Sequence, residues 1–424
     1  MRTIRTPITL KEALGRMMEY AVDGGVESIP LEQAYGHVLG EDLVASYDVP
    51  RFHRSPYDGF ALHAGDTRGA NQEEPVRLHV IDEIAAGEIF AENVGPYEAV
   101  RIMTGAPIPD GCDGVIPLEL VREVEKGKEK YILVKRPLQP GDNISFKGED
   151  ITQGSLLVKR GAYIHPGIMA LLSTFGYQKV PISRKPRVGI IATGSELLEV
   201  DEPLQPGKIR NSNGHMLQAQ IQRAGGNPLY FGQLKDDFLT CFRKVEEALG
   251  QVDFLVTTGG VSVGDYDYFP AIFEKLEARV LFNKVGIRPG SVTTIAEKDG
   301  KLIVGLSGNP SACYVGFELF ARPLIGAFLG STAPFLKKEI AFLASDFPKP
   351  NPFDRFVRGY IQFSEGRLEA VPHGLDKSGA ISSLARTNAL IVLPGGTRGY
   401  TKGMEVKVLL LEEQMGSTFA DFIR

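Results

Sequence analysis

Three glycine-rich segments in the middle of the sequence have the residue types of an anion-binding site. Each follows an apolar run typical of a buried strand, and they read Thr193-Gly-Ser-Glu196, Thr257-Thr-Gly-Gly-Val-Ser-Val-Gly264 and Leu306-Ser-Gly-Asn-Pro310. Glycine lets a backbone approach an anion closely, and free amides at a helix start favour negative charge. One glycine pair would indicate only a turn, but three such loops at successive strand ends favour ligand binding.

Carboxylates follow the same strand ends: Glu196, Asp236, Asp237, Asp265 and Asp267. Several acids beside a phosphate site suggest Mg²⁺ held partly by the protein and partly by substrate oxygens. The alternative is structural, because Asp236 or Asp237 would be a natural N-cap for a helix predicted over 238–249. The residue pattern leaves both interpretations open.

Two basic residues, Lys284 and Arg288, lie around the turn Val285-Gly-Ile-Arg-Pro-Gly290. They could neutralise a phosphate or an oxyanion, Arg288 as a planar fork and Lys284 as a point charge. A solvated loop face is an equally compatible alternative. The sequence has no Gly-Lys-Ser/Thr, Gly-x-Gly-x-x-Gly or Cys-x-x-Cys motif. Cys313 is predicted in the first turn of a helix, where a small buried filler is favoured over a reactive thiol.

The segments that carry these loops alternate between strand and helix patterns from about residue 187 to 330. A hairpin is predicted at Lys298-Asp-Gly-Lys301. Strands alternating with helices predict a mostly parallel sheet covered on both faces, with ligands beyond the carboxyl ends of its strands. Strands are predicted over 188–192 and 252–256, and helices over 213–224, 238–249 and 311–320.

The flanking regions have other patterns. Thr9 and Glu12 have capping-box spacing, and the helix that they begin is expected to stop at Gly24-Gly25. A second short helix is predicted over Leu31 to His37. The stretch from about 48 to 147 and the chain after Pro334 are rich in short alternating strands, which predicts two small β domains.

Composition excludes several classes of protein. The 424 residues carry 47 Lys and Arg against 52 Asp and Glu, a net charge of −5, which argues weakly against a nucleic-acid partner. Glycine (48) and proline (27) are in excess, which indicates many turns rather than disorder. The length predicts two to four domains. No signal peptide or run of about 20 apolar residues is apparent, so no membrane span and a cytoplasmic location are expected.

Five motifs together resemble one protein family, the MoeA-type molybdopterin molybdenumtransferases, which are related to the gephyrin E domain. The resemblance runs from Thr9 to about Leu411. The motifs occur in the family's order and spacing: Ser55-Pro-Tyr-Asp-Gly-Phe-Ala61, Arg101-Ile-Met-Thr-Gly-Ala-Pro107, Ala192-Thr-Gly-Ser-Glu-Leu197, Thr258-Gly-Gly-Val-Ser-Val-Gly-Asp-Tyr-Asp-Tyr268 and Ser307-Gly-Asn-Pro310.

The resemblance implies a multidomain fold of the α/β plus β class. Its parts are an α/β molybdopterin-binding domain with a mostly parallel sheet, an irregular elongated domain, an inserted β domain and a C-terminal β-barrel. Family members are homodimers whose site lies in a cleft to which both protomers contribute. The α/β domain is expected over 1–27 and 183–331, and the elongated domain over 28–50 and 148–182. The inserted β domain is expected over 51–147, and the barrel over 332–424.

The family's reaction inserts molybdate into adenylated molybdopterin, and Mg²⁺-dependent cleavage of the adenylate releases AMP and molybdenum cofactor. Motif matching implies that the glycine loops hold the pterin phosphate and the adenylate, that acids position Mg²⁺ and the attacking water, and that Arg358 and Ser378 hold molybdate. The implied catalytic residues are Asp58, Thr104, Glu196, Asp236 and Asp267. The implied substrate-binding residues are Gly259, Gly260, Ser262, Lys284, Arg288, Ser307, Asn309, Pro310, Arg358 and Ser378.

The sequence departs from the family pattern at a few positions. Tyr57 and Phe60 are packing changes, Arg288 replaces a common Lys, and Ser291 stands where many members carry a third Lys. Two alternatives are a molybdopterin adenylyltransferase, expected to be a shorter chain with Gly-Gly-Thr-Gly, and a molybdopterin-binding scaffold. Tungstate, which has nearly the same tetrahedral shape, is an alternative to molybdate as the oxyanion, and a molybdopterin adenylyltransferase is a candidate partner that would supply the adenylated substrate.

Overall fold

The computed structural model describes residues 6–234, 237–260, 268–350, 352–411 and 418–424. Its helices are α1 (Leu10–Met18), α2 (Pro166–Thr174), α3 (Ser212–Arg223), α4 (Phe238–Leu249), α5 (Phe269–Lys275), α6 (Pro310–Gly316), α7 (Arg322–Phe328) and α8 (Phe419–Ile423).

The strands follow in chain order. They are β1 (Val26–Pro30), β2 (Leu43–Val44), β3 (Gly59–Leu62), β4 (Val76–Ile84), β5 (Glu98–Ile102), β6 (Gly114–Pro117), β7 (Val121–Lys126), β8 (Glu129–Val134), β9 (Leu156–Val158), β10 (Lys179–Ser183), β11 (Arg187–Thr193), β12 (Leu197–Leu198), β13 (Ile209–Arg210), β14 (Asn227–Leu234), β15 (Phe254–Thr258), β16 (Arg279–Phe282), β17 (Ile287–Arg288), β18 (Thr294–Lys298), β19 (Lys301–Leu306), β20 (Lys338–Leu343), β21 (Asp354–Ser364), β22 (Arg367–Pro372), β23 (Ala389–Leu393) and β24 (Glu405–Leu410).

The chain divides into two compact units, which we describe separately. The first comprises Met1–Glu41, Arg160–Ala170 and Gln178–Arg424, and the second comprises Asp42–Lys159 and Leu171–Tyr177. The finer division into four domains with the expected boundaries stays a prediction.

A six-stranded sheet organises the first unit, in the order β14-β11-β15-β19-β18-β16. The first four strands are mutually parallel, and β18 and β16 add antiparallel pairs through the predicted hairpin. Consecutive residues pack into separate cores on the two faces, as Ile190 and Ile191 do on β11. The mostly parallel, doubly covered sheet predicted from the sequence is therefore confirmed, and the three glycine loops follow β11, β15 and β19.

Side-chain caps begin several helices at the predicted places. Thr9 Oγ1 accepts a hydrogen bond from the backbone N of Glu12 at 3.1 Å at the start of α1. Asp237 Oδ2 accepts from the backbone N of Thr240 at 2.8 Å, so Asp237 is the cap of α4. This contact resolves the open alternative for Asp237 in favour of capping.

Three predicted helix bounds are wrong. α1 ends at Met18, well before Gly24. The helix expected over 31–37 is a single 3₁₀ turn, Leu31–Gln33, because Gly36 has a φ of +80°, which no right-handed helix accommodates. The helix expected over 311–320 instead continues from α6 through a π-helical turn, Phe317–Ala321, into α7.

A β-barrel completes the first unit. β21, β22, β20, β24 and β23 pair in that order, and β23 pairs again with β21, which closes the barrel. β17 lies outside this closed set and pairs in parallel with the start of β21. The C-terminal barrel predicted from the resemblance is confirmed, and Arg288 lies on the adjoining strand β17.

The second unit contains a six-stranded sheet in the order β6-β3-β5-β4-β8-β7. β4 and β5 are parallel, and the other pairs are antiparallel. Phe60 and Ala61 of β3 pack into different hydrophobic clusters, so both faces of this sheet are covered. The β domain expected in this stretch is present. Among the described residues, no helix combines the length and apolarity needed to cross a membrane.

Candidate functional site

The three glycine loops of the first unit lie against one another. The backbone N of Gly259 donates to the carbonyl O of Leu306 at 3.1 Å. A Cβ placed on Gly308 would lie 3.5 Å from the Cα of Gly259, and a Cβ on Gly259 would lie 2.3 Å from the carbonyl O of Thr193. The ends of β11, β15 and β19 therefore form one region. The loop that carries Gly259 contacts the loop that carries Ser307, Asn309 and Pro310.

Gly259 and Gly260 require glycine for two reasons. Their φ angles are +87° and +66°, in the left-handed region that L-residues with side chains rarely adopt. A Cβ on Gly260 would also lie 2.8 Å from the Phe269 ring and 2.9 Å from Thr193 Oγ1. The backbone of the second loop is thus held close to the first.

Asn213 was missed by sequence reasoning, although it joins two of these loops. Its Nδ2 donates to Thr258 Oγ1 at 2.8 Å and to the carbonyl O of Gly308 at 2.9 Å. Thr258 Oγ1 donates in turn to the carbonyl O of Ser307 at 3.1 Å. An asparagine near a helix start normally indicates a cap, and Asn211 does cap α3, so the sequence offers no separate signal for Asn213.

Glu196 is exposed on the first loop, and its carboxylate folds back over Gly194. A Cβ on Gly194 would lie 2.6 Å from Glu196 Oε2. Three other predicted site residues, Asp236, Ser262 and Asp267, lie outside the described residues. Within the described ranges, no three His, Cys, Asp or Glu side chains are grouped so that they could hold a metal ion.

Lys284 and Arg288 lie on the segment that leads into the barrel. Lys284 is half-buried, and its carbonyl O accepts from the backbone N of Ile8 at 3.2 Å. Arg288 is exposed on β17, where it pairs in register with Arg355 of β21. In the part of the chain that the structure describes, neither Lys284 nor Arg288 forms a side-chain ion pair.

Arg358 is buried, with 1% of its surface exposed. Its Nε donates to Ser383 Oγ at 3.1 Å and its Nη2 donates to the carbonyl O of Leu375 at 3.0 Å. Nη1 has no hydrogen-bond partner among the described residues. Burial lowers the pKa of the Arg358 guanidinium, and the neighbouring Asp376 opposes that shift. The side chain holds the loop Gly374–Ala380, hereafter the 374–380 loop, instead of extending into solvent.

The 374–380 loop brings Ser378 to the third glycine loop. The backbone N of Ser311 donates to the carbonyl O of Ser378 at 3.0 Å, and Ser311 Oγ donates to the carbonyl O of Ala380. A Cβ on Gly379 would lie 3.4 Å from Asn309 Oδ1. The structure thus places Ser378, which is exposed, beside Asn309 at the start of α6.

In the second unit, Asp58 and Thr104 are in direct contact. They flank β3 and β5, whose register pairs Gly59 with Ile102. Asp58 Oδ1 accepts from the backbone N of Thr104 at 2.7 Å and from Thr104 Oγ1 at 2.8 Å. The backbone bond, followed by the hydroxyl bond, lowers the pKa of the Asp58 carboxyl. Two residues selected from separate motifs therefore form one exposed pair.

We expect Thr104→Val to raise the pKa of Asp58 toward the ordinary aspartate value, because it removes the hydroxyl bond to the charged carboxylate. The backbone bond remains, so the rise is partial. A carboxyl whose pKa is lowered by folding stabilises the protein above its unfolded pKa and loses that contribution as the pH falls through its folded pKa. NMR titration of the Asp58 carboxyl carbon measures the shift. Thr104→Ser keeps the hydroxyl and should titrate like the wild type, and an unchanged pKa in Thr104→Val would contradict the assignment.

Cys313 has the structural role that the sequence favoured. It is fully buried in α6, and burial raises the pKa of its thiol to about 12. A thiol with that pKa is almost entirely protonated at neutral pH and is a poor nucleophile. Cys313 is therefore a core residue.

Comparisons with known proteins cover nearly the whole chain. Residues 8–176 match the MoeA N-terminal region (domain I and II), residues 189–327 match a probable molybdopterin binding domain, and residues 341–411 match the MoeA C-terminal region (domain IV). A molybdopterin biosynthesis MoeA protein from Pyrococcus horikoshii OT3 superposes with a TM-score of 0.81 at 32% identity, over 96% of this chain and 100% of that chain.

Two curated relatives agree with these matches. The molybdopterin molybdenumtransferase of Staphylococcus epidermidis (strain ATCC 12228 / FDA PCI 1200) is 45% identical over 96% of both chains. The molybdopterin molybdenumtransferase of Bacillus subtilis (strain 168) is 54% identical over 97% of this chain and 96% of its own length. At this identity and coverage, the chain belongs to the MoeA family of molybdopterin molybdenumtransferases.

Proposed function

We propose that the protein inserts molybdate into adenylated molybdopterin and releases AMP, as a transferase of molybdenum cofactor biosynthesis. The observation that carries the proposal is the meeting of the glycine loops at Gly259 and Asn309 with the 374–380 loop of the barrel. This region combines close backbone approach, an exposed hydroxyl and nearby positive charge, which suits a phosphorylated ligand and an oxyanion held side by side.

The glycine loops bind the phosphate groups of the adenylated substrate in this proposal. Backbone amides of these loops contact the oxygens, except those of Gly259 and Asn309, which already donate within the loops, and Lys284 and Arg288 neutralise the charge of the phosphates. The proposed contacts of the substrate with these loops are at Gly259, Gly260, Ser262, Ser307, Asn309 and Pro310.

Molybdate binds at the barrel side of the same region. Ser378 is the exposed hydroxyl that contacts the oxyanion, and Lys284 and Arg288 contribute positive charge. Arg358 is buried beneath the 374–380 loop. Its charge attracts the oxyanion, and its hydrogen bonds hold the loop that carries Ser378.

Glu196, Asp236 and Asp267 are proposed to act at the pyrophosphate bond, with Mg²⁺ as the expected ion. Asp58 and Thr104 are proposed as further catalytic residues on the strength of their motifs. A homodimeric state, supply of substrate by an adenylyltransferase partner and a cytoplasmic location are likewise proposals that rest on the sequence.

The reconstituted reaction tests the proposed function. We would incubate the protein with adenylated molybdopterin, Mg²⁺ and either molybdate or tungstate, and follow AMP release and metal incorporation. Oxyanion-stimulated AMP release is the expected result, and comparison of the two oxyanions decides the preferred metal. If AMP release did not respond to either oxyanion, the transferase proposal would be wrong, and binding of the pterin without turnover would favour a scaffold.

Glu196→Ala is expected to lower molybdate-stimulated AMP release about tenfold, the low end of the effect seen when a group around a metal site is removed. The carboxylate is exposed, so folding should be unaffected. Glu246→Ala, on the exposed face of α4, is the matched control. If both variants release AMP at the wild-type rate, the proposed catalytic role of Glu196 is withdrawn.

A further inference from the structure

A cluster of charged side chains lies beneath the 374–380 loop, and Asp376 is its centre. Asp376 Oδ2 lies 2.6 Å from Arg355 Nη1 and 3.2 Å from Lys349 Nζ, and its Oδ1 lies 3.7 Å from Arg358 Nη2. The side chains of Asp376 and Arg355 are 11% and 10% exposed. A partly desolvated, short carboxylate–guanidinium bond of this kind restrains the backbone on both sides.

The bond between Asp376 and Arg355 ties the loop to strand β21. Two residues further along, Ser378 presents its hydroxyl to solvent, and its carbonyl O accepts from the backbone N of Ser311 at 3.0 Å. The loop is therefore fixed at one end by the barrel and at the other by the start of α6. The location of Ser378 relative to Asn309 depends on both attachments.

We propose that Asp376 is a positioning residue for the oxyanion: it anchors the 374–380 loop to β21 through Arg355 and thereby fixes Ser378 beside Asn309. The proposal rests on the proposed function, because it assumes that the oxyanion binds at Ser378. Asp376 itself does not contact the substrate.

A positioning role and a purely electrostatic role of Asp376 predict opposite changes in molybdate affinity when the residue is replaced. A carboxylate beside an oxyanion site repels the oxyanion, so its removal would strengthen binding if charge were its only effect. The three surrounding cations, Lys349, Arg355 and Arg358, would then attract the oxyanion without opposition. Loss of positioning has the opposite sign, because a displaced Ser378 weakens binding.

Equilibrium dialysis of molybdate against the full-length protein measures this difference directly. Asp376→Ala removes the anchor, and we expect the dissociation constant for molybdate to rise about tenfold, within the range that misplacement of a binding group produces. Asp376→Asn keeps an oxygen that accepts from Arg355 while it removes the charge, so its affinity should equal or exceed that of the wild type.

Steady-state kinetics provide a second measurement, because a purely structural role of Asp376 would not change the KM for molybdate alone. Asp376→Ala should raise the KM for molybdate, with kcat at saturating molybdate and the KM for adenylated molybdopterin unchanged. Asp354→Asn is the matched control, since Asp354 precedes Arg355 on β21 and its Oδ1 accepts from the backbone N of Gly395 at 2.9 Å. It should behave like the wild type.

Several results would overturn the proposal. One is an affinity for molybdate in Asp376→Ala that equals or exceeds the wild-type value. Another is a loss of molybdate affinity in Asp354→Asn, or in Asp376→Asn, as large as that in Asp376→Ala. Asp376→Leu, of similar volume and unable to accept a hydrogen bond, replaces the alanine variant if that protein melts below the assay temperature. If the wild-type protein showed no oxyanion-stimulated AMP release, but Asp376→Ala still bound molybdate more weakly than the wild type in dialysis, the proposed function alone would be overturned.

Discussion

Gly259→Ala is expected to abolish measurable binding of adenylated molybdopterin. The new Cβ would lie 2.3 Å from the carbonyl O of Thr193, which is backbone and has no rotamer with which to move away. The φ of +87° adds strain of about 1–2 kcal/mol for an alanine. Relief requires that the second glycine loop move away from the end of β11, which separates the backbone amides that are proposed to hold the phosphates. Isothermal titration calorimetry measures the binding, and urea unfolding measures the accompanying loss of stability.

Gly300→Ala is the matched control for this substitution. Gly300 has a φ of +77° in the hairpin between β18 and β19, but nothing lies within 4 Å of the Cβ that it would gain. It therefore carries similar backbone strain without the collision. We expect Gly300→Ala to lose some stability and to bind the substrate like the wild type. Wild-type affinity in Gly259→Ala would show that the contact with Thr193 does not shape the site.

The location of the glycine loops could be predicted from the sequence because it depends on local patterns. Apolar runs that lead into Thr193, Thr257 and Leu306 indicate buried strands, and parallel strands bring their carboxyl ends to one edge. The structure places the three loops in contact there. The helix bounds were less predictable, since Gly36 and the π-helical turn at Phe317–Ala321 change the backbone within runs that are helical in pattern.

The environment of Arg358 could not be predicted, because it depends on contacts between distant parts of the chain. The motif identified the residue, and the resemblance implied that it holds molybdate. Ser383 and Leu375 instead accept its hydrogen bonds beneath the 374–380 loop. Asp376 was missed for the same reason: in sequence it is one acid in a polar turn, and only the fold places it between Arg355 and Arg358.

Arg358→Met is expected to reduce molybdate-stimulated AMP release by at least about 10²-fold, because the loop that carries Ser378 loses its buried support. The substitution leaves Ser383 Oγ and the carbonyl O of Leu375 without their donor. It also removes one of the three cations around Asp376, which keeps Arg355 at 2.6 Å and Lys349 at 3.2 Å, so the main loss of stability comes from the two acceptors that lose their donor. The free energy of unfolding should therefore fall together with the rate of AMP release.

Two further variants separate the contribution of Arg358 to the site from its contribution to stability. Arg358→Lys keeps the positive charge, but a single ammonium cannot reproduce the fork that reaches both Ser383 and Leu375, so we expect a partial recovery of stability and a raised KM for molybdate. Arg386→Met removes an exposed arginine that lies over the Tyr360 ring at 5.2 Å, and it should leave AMP release unchanged. If Arg358→Met lost stability but released AMP at the wild-type rate with an unchanged KM for molybdate, Arg358 would be a structural residue of the barrel, and the oxyanion would have to bind elsewhere.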